Sequence, residues 1–544
     1  MKSILKFGLV MTFVLLGAIT FNACEDDDDL GKAPRLFRPI AEGESGGQWI
    51  NIEWDVMDYA KYYQVELSVD SFKTIDTTIV TSTSPLLIES GIEWDTQYQI
   101  RIKVVGENLE SAYYVLEDVK VPDYPTLLQD VTSDDIIDVA AIVRWTNDET
   151  TPFTSLEFIT GETVTSIPLT EDDLASGYKE VYGLEPDTAY IVKIYSEDVY
   201  RGKKRFNTRA SQEFENPVDL RELSDEVSQD YLTQSFLDGL VENSTIVLKG
   251  GQSYVLTSTL KLSMNVKFVT GYSFYGKAKI VMGDASTSGG FSLADAASFG
   301  KVEFDGIDFI TGNDKTSANF GGRYIFNISP SSLASVNEII SFENCNIRYL
   351  RGVVRAQGNV ALEHVKINNC ILDSIGGYGV INCDNANSVI RNMTLTNSTV
   401  THAEKILVNS KSATSGSIIV DNCTFNWTPT GSGNYYLDFG SMTIAGDVLF
   451  TDCILAAVYT TSTAQTCNGF RSATNAITAS GNYRTSDFTW TLKADGVSYN
   501  GTPIEATVYS KSYTELWNNP TLIDYYFKDS KFEGKGIAGD PRWW

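Results

Sequence analysis

The sequence predicts an all-β protein: two small β-sandwiches, then a parallel β-helix with an N-terminal capping helix. Three observations carry that prediction. Short strands with period-two alternation fill residues 34–209 in two similar copies. A short apolar-Asn-small phrase then recurs through the back of the chain at spacings of 25–30 residues. Pro is scarce (14), Gly frequent (42), and Tyr and Phe together number 54, a composition that favours strands and turns.

The first 23 residues read as a secretory signal: Lys2 and Lys6 precede an apolar run from Phe7 to Phe21, closed by the small residue Ala23. Cys24 directly follows, and the junction resembles a bacterial lipobox, although Phe21 and Asn22 depart from its strict form. The resemblance implies that Cys24 is acylated and becomes the mature N-terminus. The acidic block Glu25-Asp26-Asp27-Asp28-Asp29 makes residues 24–33 a solvated tether. It resembles the export tag of Bacteroidetes surface lipoproteins, which implies an outer-membrane, surface-exposed location. No later stretch approaches the roughly 18 apolar residues that read as a membrane span.

Residues 34–122 and 124–209 form the two sandwiches. In the first, Ile50–Trp54, Tyr63–Val69 and Tyr98–Val104 alternate with period two; in the second, Ala141–Trp145 and Ile191–Tyr195 do the same. An early-strand tryptophan (Trp54, Trp145) followed by a turn and a tyrosine opening a late strand (Tyr98, Tyr190) suits a seven-stranded sandwich with a tyrosine corner. Both copies resemble fibronectin type III modules, which implies a stalk.

Residues 216–544 are predicted to be the β-helix. Leu220, Leu223, Val227, Phe236 and Leu240 have near-helical spacing, with Pro217 at the entrance, which predicts a helix over 216–240. The phrase appears as Phe304–Phe309, Phe342–Ile347, Ile367–Leu372, Leu395–Val400, Val420–Phe425 and Phe450–Leu455. Self-similarity of this period signals a solenoid whose coils bury their faces on one another, stacked about 4.8 Å apart. Asn344, Asn369, Asn397, Asn422 and Asp452 form a turn ladder, and Cys345, Cys370, Ser398, Cys423 and Cys453 a column of small buried residues. A second row, Phe326, Val354, Ile381, Val408 and Leu437, points inward. It leaves Asn327, Arg355, Asn382, Asn409 and Asp438, then Ser329, Gln357, Asp384, Lys411 and Gly440, on an outer face. Loops nearby supply Arg348, Arg351, Tyr378, His402, Glu404, Lys405, Trp427, Tyr435 and Tyr436.

A net charge of −28 argues against nucleic acid as a partner. Residues 212–544 hold 24 Lys/Arg and 33 Asp/Glu, so 19 of those charges belong to the first 211 residues and an anionic ligand at the back is compatible with the balance. With His364 and His402 alone, the chain has no multi-histidine metal site, and a Ser-His-Asp centre is disfavoured.

The Thr245–Gly251 entry and the Asn/Cys coils resemble the pectate-lyase-like right-handed β-helices. With the lipoprotein start and the fibronectin-like pair, the whole chain resembles a Bacteroidetes surface lipoprotein of a polysaccharide-utilisation system, working as a monomer. The resemblance implies a lyase that cleaves an acidic, uronate-containing polysaccharide by β-elimination; a surface glycan-binding lipoprotein without catalysis is the alternative. In the lyase reading Arg355 or Lys411 is the base and Arg351 or Arg348 the carboxylate partner, with Asp384 and Asp438 as ligands if Ca²⁺ takes part. Asn382, Asn409, Gln357, Lys405, Trp427, Tyr435 and Tyr436 are the substrate-binding candidates. The Gly-His-Gly motif of polygalacturonase-type hydrolases and the Trp-Ile-Asp-His-type motif of classical pectate lyases are both absent.

Overall fold

A computed structural model of the chain describes residues 36–147, 152–284, 286–312, 320, 322–383, 385–409, 411, 416–430, 434–457, 466–473 and 476–544. The signal segment, Cys24, the acidic tether and Asp384 lie outside the described residues, as does the side chain of Asn409.

In the first sandwich, strands Ala41–Gly46, Trp49–Trp54 and Leu86–Ile88 form one antiparallel sheet. Thr77–Thr81, Tyr62–Ser68, Gln97–Val105 and Tyr114–Val115 form the other, with Val119–Lys120 also on Gln97–Val105. Alternation is strict where it matters: Tyr98, Ile100, Ile102 and Val104 are buried with Trp54 and Tyr63. The hydroxyl of Tyr98 accepts the backbone N–H of Glu93 (3.0 Å), five residues upstream, which is the tyrosine corner.

The second sandwich repeats this arrangement. Thr163–Pro168, Ser155–Thr160, Ala189–Ser196 and Val199–Asn207 make a four-stranded sheet, and Ala140–Arg144 pairs with Tyr178–Tyr182. Tyr190 accepts from Glu185 N–H at 2.8 Å, again five residues back.

The β-helix begins differently from the sequence expectation. Residues 216–240 are not one helix: Pro217–Asp219 is a strand paired with Ser244–Leu248, and two five-residue helices follow, Asp225–Gln229 and Gln234–Asp238. Thr233 divides them, because its side chain accepts from Phe236 N–H (3.2 Å) and starts a new helix. Leu220, Leu232 and Leu237 still close the end of the core.

Each full coil then contributes three strands. The first face is a ten-stranded sheet running from Pro217–Asp219 to Thr478–Ser480, and it includes Ser298–Asp305, Ala334–Glu343, Val360–Asn368 and Ser388–Thr396. The second face holds Ile307–Thr311, the first halves of Asn346–Ala356 and Ile371–Cys383, then Thr399–Thr401, Thr424–Asn426 and Ile454–Leu455. The third holds Tyr324–Ile328, the second halves of those two long strands, Leu407–Asn409, Leu437–Asp438 and Phe470–Arg471. All these pairings are parallel, with local register shifts at Phe299/Lys301, Val336/Ile340 and Leu350/Gly352, and like residues stack on either side of them. Phe268, Phe304 and Phe342 lie on successive coils with ring centroids 5.1 and 5.2 Å apart and planes 12° off parallel.

The turn between first and second faces is left-handed in every coil: Asn344, Asn369, Asn397, Asn422 and Asp452 have φ between 49° and 55°, and Gly306 and Gly481 φ 68°. Asn tolerates that conformation because its short amide bonds locally. The last residues do not simply continue the coils. After Thr507–Val508, residues 513–543 fold back over the outer side of the second face, where Leu516, Trp517, Tyr525, Phe532 and Trp543 form their own core with Ile454 and Ala456.

The third-face register corrects one row. Ile381 pairs with Leu407, and Leu407 with Leu437, so Leu407, not Val408, is the inward residue. Asn409 therefore aligns with the buried Cys383 rather than with Asn382. Ile406, Leu407 and Val408 are all apolar, so alternation alone did not fix which one faces in.

Candidate functional site

Where the chain leaves the second face it turns through a second left-handed column. Arg348, Asp373, Thr401 and Asn426 stack in register, and the residues just after them, Tyr349, Ser374, His402 and Trp427, have φ of 56°, 59°, 51° and 52°. Bulky residues in this region cost about 1–3 kcal/mol each and cluster at functional sites. The rings make contact: Phe320 with Tyr349 (5.9 Å), His402 with Trp427 (4.8 Å) and Trp427 with Tyr513 (5.3 Å).

On the third-face side of this corner, two guanidiniums sit on one aromatic ring. The Cζ atoms of Arg351 and Arg355 lie 3.9 and 3.8 Å from the centroid of Tyr378, and Tyr324 lies 6.0 Å from the same ring. Two glycines make room. A Cβ on Gly352 would come 2.7 Å from Tyr378 Cβ, and Gly379, at φ 74°, would press on Lys405 Cβ at 2.9 Å. Stacking of this kind holds planar guanidiniums while their in-plane N–H groups stay suited to a carboxylate. Arg355 stands in one row between Asn327 and Asn382. Asn382 is only 2% exposed, and its Oδ1, the Oδ1 of Asn327 and the Nε of Arg351 are buried without hydrogen-bond partners.

On the second-face side, charge alternates coil by coil. Arg348 pairs with Asp308 (2.7 Å), and the next carboxylate, Asp373, lies 3.0 Å from His402 Nδ1. Asp308 and Asp373 are 6% and 7% exposed, and Thr401 Oγ1 sits 3.1 Å from the same imidazole nitrogen.

The structure thus brings Arg351 and Arg355 together and puts Arg348 across the corner from them. Gln357 follows Arg355 and is half-buried, its N–H bonded to Ile328 O (2.7 Å); Lys405 is half-buried against Gly379, and Lys411 is exposed. Trp427 is half-buried between His402 and Tyr513, and Tyr435 lies 4.6 Å from Arg471 Cζ. Tyr436 is not a surface contact: it is fully buried in the core with its hydroxyl on Thr428 O (2.8 Å). Asp438 does not fit a calcium ligand, because both its oxygens accept from Arg471 (2.8 and 2.7 Å), and the described residues contain no group of three metal-ligating side chains. Sequence reasoning missed the His402–Asp373 pair, since the partners are 29 residues apart and only the coil register joins them.

By its fold, the chain is a modular protein of two fibronectin type III-like domains and a parallel β-helix. Two family models match parts of the β-helix: a domain of unknown function (DUF4957) over residues 252–403, and another (DUF5123) over residues 418–543, neither of them half of the chain. The second includes the folded-back C-terminal segment. No curated protein matches. Among solved structures the chain is similar to the FN1–FN3 domains of chicken CNTN1, at 14% identity and TM-score 0.16, covering 32% of this chain and 66% of that one. It is also similar to a two-domain fibronectin type III segment of chicken tenascin, at 14% identity and TM-score 0.17, covering 32% of this chain and all of that one.

Proposed function

We propose that the protein binds an acidic, uronate-containing polysaccharide along this corner, at the cell surface. The observation that supports it best is the pair of guanidiniums on Tyr378. Arg351 and Arg355 offer fork-shaped donors to carboxylates. The half-buried rings of Tyr324 and Tyr378 add apolar area at the corner, and a parallel β-helix repeats its side chains about every 4.8 Å along a linear ligand. The acidic remainder of the chain limits non-specific anion binding.

Calorimetric titration of the purified protein with polygalacturonate, alginate and an uncharged glucan tests this reading. Binding to one uronate polymer, weakened by salt and at least tenfold weaker in Arg351→Ala/Arg355→Ala, supports it. Equal binding to the uncharged glucan, or no binding to any uronate polymer, overturns it. The same proposal tethers the chain through an acylated Cys24, which fatty-acid labelling lost in Cys24→Ser would support.

A further inference from the structure

We infer that the protein has a second anion-binding subsite at the opposite edge of the second face, where Lys277 on the coils and Arg542 on the folded-back segment together hold a carboxylate or sulfate group of an acidic glycan. This site goes beyond the binding reading above and does not depend on the Arg351–Arg355 pair.

The two cations arrive there from distant parts of the chain. Lys277 stands just before strand Ala278–Met282, and its ammonium crosses the coil of Ile307–Thr311 to reach Asn346 Oδ1 at 3.3 Å. Arg542 comes from the end of the folded-back segment and donates through Nη2 to the carbonyl and the amide oxygen of Asn369, both at 2.6 Å. Asn369 lies two residues before Ile371, the residue paired with Asn346. The two contacts therefore fall on adjacent coils, with the Cα atoms of Asn346 and Asn369 within about 12 Å.

Lys277 is left without a counter-charge. It is half-buried and makes no ion pair among the described residues. The carboxylates on neighbouring coils are engaged elsewhere: Asp308 with Arg348 (2.7 Å), Glu343 with Lys366 (2.7 Å) and Asp305 with Asn344 (2.8 Å). Burial and the nearby Arg542 charge push the Lys277 ammonium below its ordinary pKa. A half-buried ammonium facing a guanidinium is unfavourable by itself, and an oxyanion between them turns one repulsion into two attractions.

Two further atoms here are buried without a hydrogen bond: Asp308 Oδ1, and Arg542 Nη1, which has Asp540 Oδ2 3.4 Å away. Asp308 shares an outer row with Asn346 and with the exposed Lys279. An acidic sugar supplies what each lacks, oxygens for Lys277 and Nη1 and a hydroxyl donor for Asp308 Oδ1. Tyr526, 50% exposed, lies 5.3 Å from the ring of Trp543, and Arg542 Cζ lies 5.9 Å from the same ring, which sets apolar surface for a sugar near the charge.

Because Lys277 belongs to the coils and Arg542 to the segment, an anion between them fastens one to the other, and binding opposes local opening of the segment. The test is limited trypsinolysis of the full chain, at matched ionic strength, with polygalacturonate, dextran sulfate or uncharged dextran. Cleavage at the exposed Lys528, Lys531 and Lys535 reports opening of the segment, and the exposed Lys73 of the first sandwich is the internal control. At ten times its dissociation constant an acidic polymer should slow segment cleavage about elevenfold and leave Lys73 unchanged. Protection by polygalacturonate assigns the site to carboxylates, and protection by dextran sulfate assigns it to sulfates. It should persist in Arg351→Ala/Arg355→Ala and vanish in Lys277→Met. Without ligand, Lys277→Met should be at least as stable to urea as wild type, since it removes a charge that no protein group answers. A fivefold or greater loss in its folded-to-unfolded ratio would make Lys277 structural and overturn the site. Equal protection by uncharged dextran, undiminished protection in Lys277→Met, or no protection from either acidic polymer overturns it as well. Lys277-dependent protection in Arg351→Ala/Arg355→Ala supports the site even where the Tyr378 platform binds nothing, and protection lost in that double variant overturns its independence.

Discussion

The backbone N–H of Cys345 donates to the thiol of Cys370, 3.3 Å away on the next coil. The same bond recurs up the column: Cys370 N–H to Ser398 Oγ (3.0 Å), Cys423 N–H to Cys453 Sγ (3.4 Å) and Cys453 N–H to Asn482 Oδ1 (2.9 Å). Each thiol or hydroxyl also donates to the carbonyl two residues before it, as Cys370 does to Asn368 O at 3.1 Å. Burial pushes the Cys345 and Cys453 thiols well above the ordinary range, which keeps their S–H donors in place. These cysteines are free and buried, and they satisfy polar backbone as well as filling space.

Cys370→Ser and Cys370→Val should therefore separate. Serine occupies this slot at Ser398 and keeps both bonds, so its cost should be under about 1 kcal/mol. Valine fills the volume but leaves a buried N–H without an acceptor, at a cost of about 1–3 kcal/mol. Urea unfolding of the β-helix transition measures both. Equal stability of the two variants would reduce the column to packing.

Asp452 sits in the left-handed turn column where the preceding four coils carry Asn. Burial and the neighbouring carboxylate of Asp421 raise its pKa. A carboxyl raised in the folded state contributes stability below its unfolded pKa and loses it as pH rises through the folded value. Asp452→Asn should thus be slightly more stable than wild type at pH 7, by about 0.5 kcal/mol or less since the site is partly solvated, with the gain absent at pH 3. Thermal melts at the two pH values check the sign.

The fold was legible because a β-helix writes its register into the sequence: Phe304, Phe342, Ile367, Leu395, Val420 and Phe450 recur opposite one another, and one coil predicts the next. Legibility failed where apolar residues abut. Ile406-Leu407-Val408 hid the inward position, and Tyr435-Tyr436 split between a surface ring under Arg471 and a core ring beside Phe425 (5.1 Å). Half of the site was legible as a cluster of arginines. Its organiser, Tyr378, and the Asp373–His402 pair depend on contacts between coils that no local pattern records.

Thr399 joins the folded-back segment to the coils. Its hydroxyl donates to Asp540 (2.8 Å) and accepts from the indole of Trp543 (2.7 Å), while Asp540 N–H reaches Thr424 Oγ1 at 2.9 Å. Thr399→Val keeps the shape but strips partners from a buried carboxylate and a buried indole N–H, for a loss of about 2–4 kcal/mol. Opening should be local first, so trypsin should cut faster at Lys528, Lys531 and Lys535 before the coils unfold. Unchanged cleavage would mean that the apolar contacts of Trp517 and Tyr525 hold the segment alone.

Tyr378 separates a platform from a mere cluster of charge. If the ring holds Arg351 and Arg355 through its face, Tyr378→Phe retains the arrangement, because the hydroxyl takes no part in either stacking contact, and affinity for the uronate polymer should change less than about threefold. Tyr378→Ala leaves both charges but frees two long side chains, each with up to about 2 kcal/mol of rotamer entropy to lose on binding. Affinity should then fall at least tenfold, while the slope of log affinity against log salt stays near that of wild type, since the number of cations at the corner is the same. A fall in that slope would instead show that the guanidiniums no longer engage the polymer once the ring is gone. Gly379→Ala should mimic Tyr378→Ala from beneath, because a Cβ at φ 74° is strained and presses on Lys405 and the adjoining sheet.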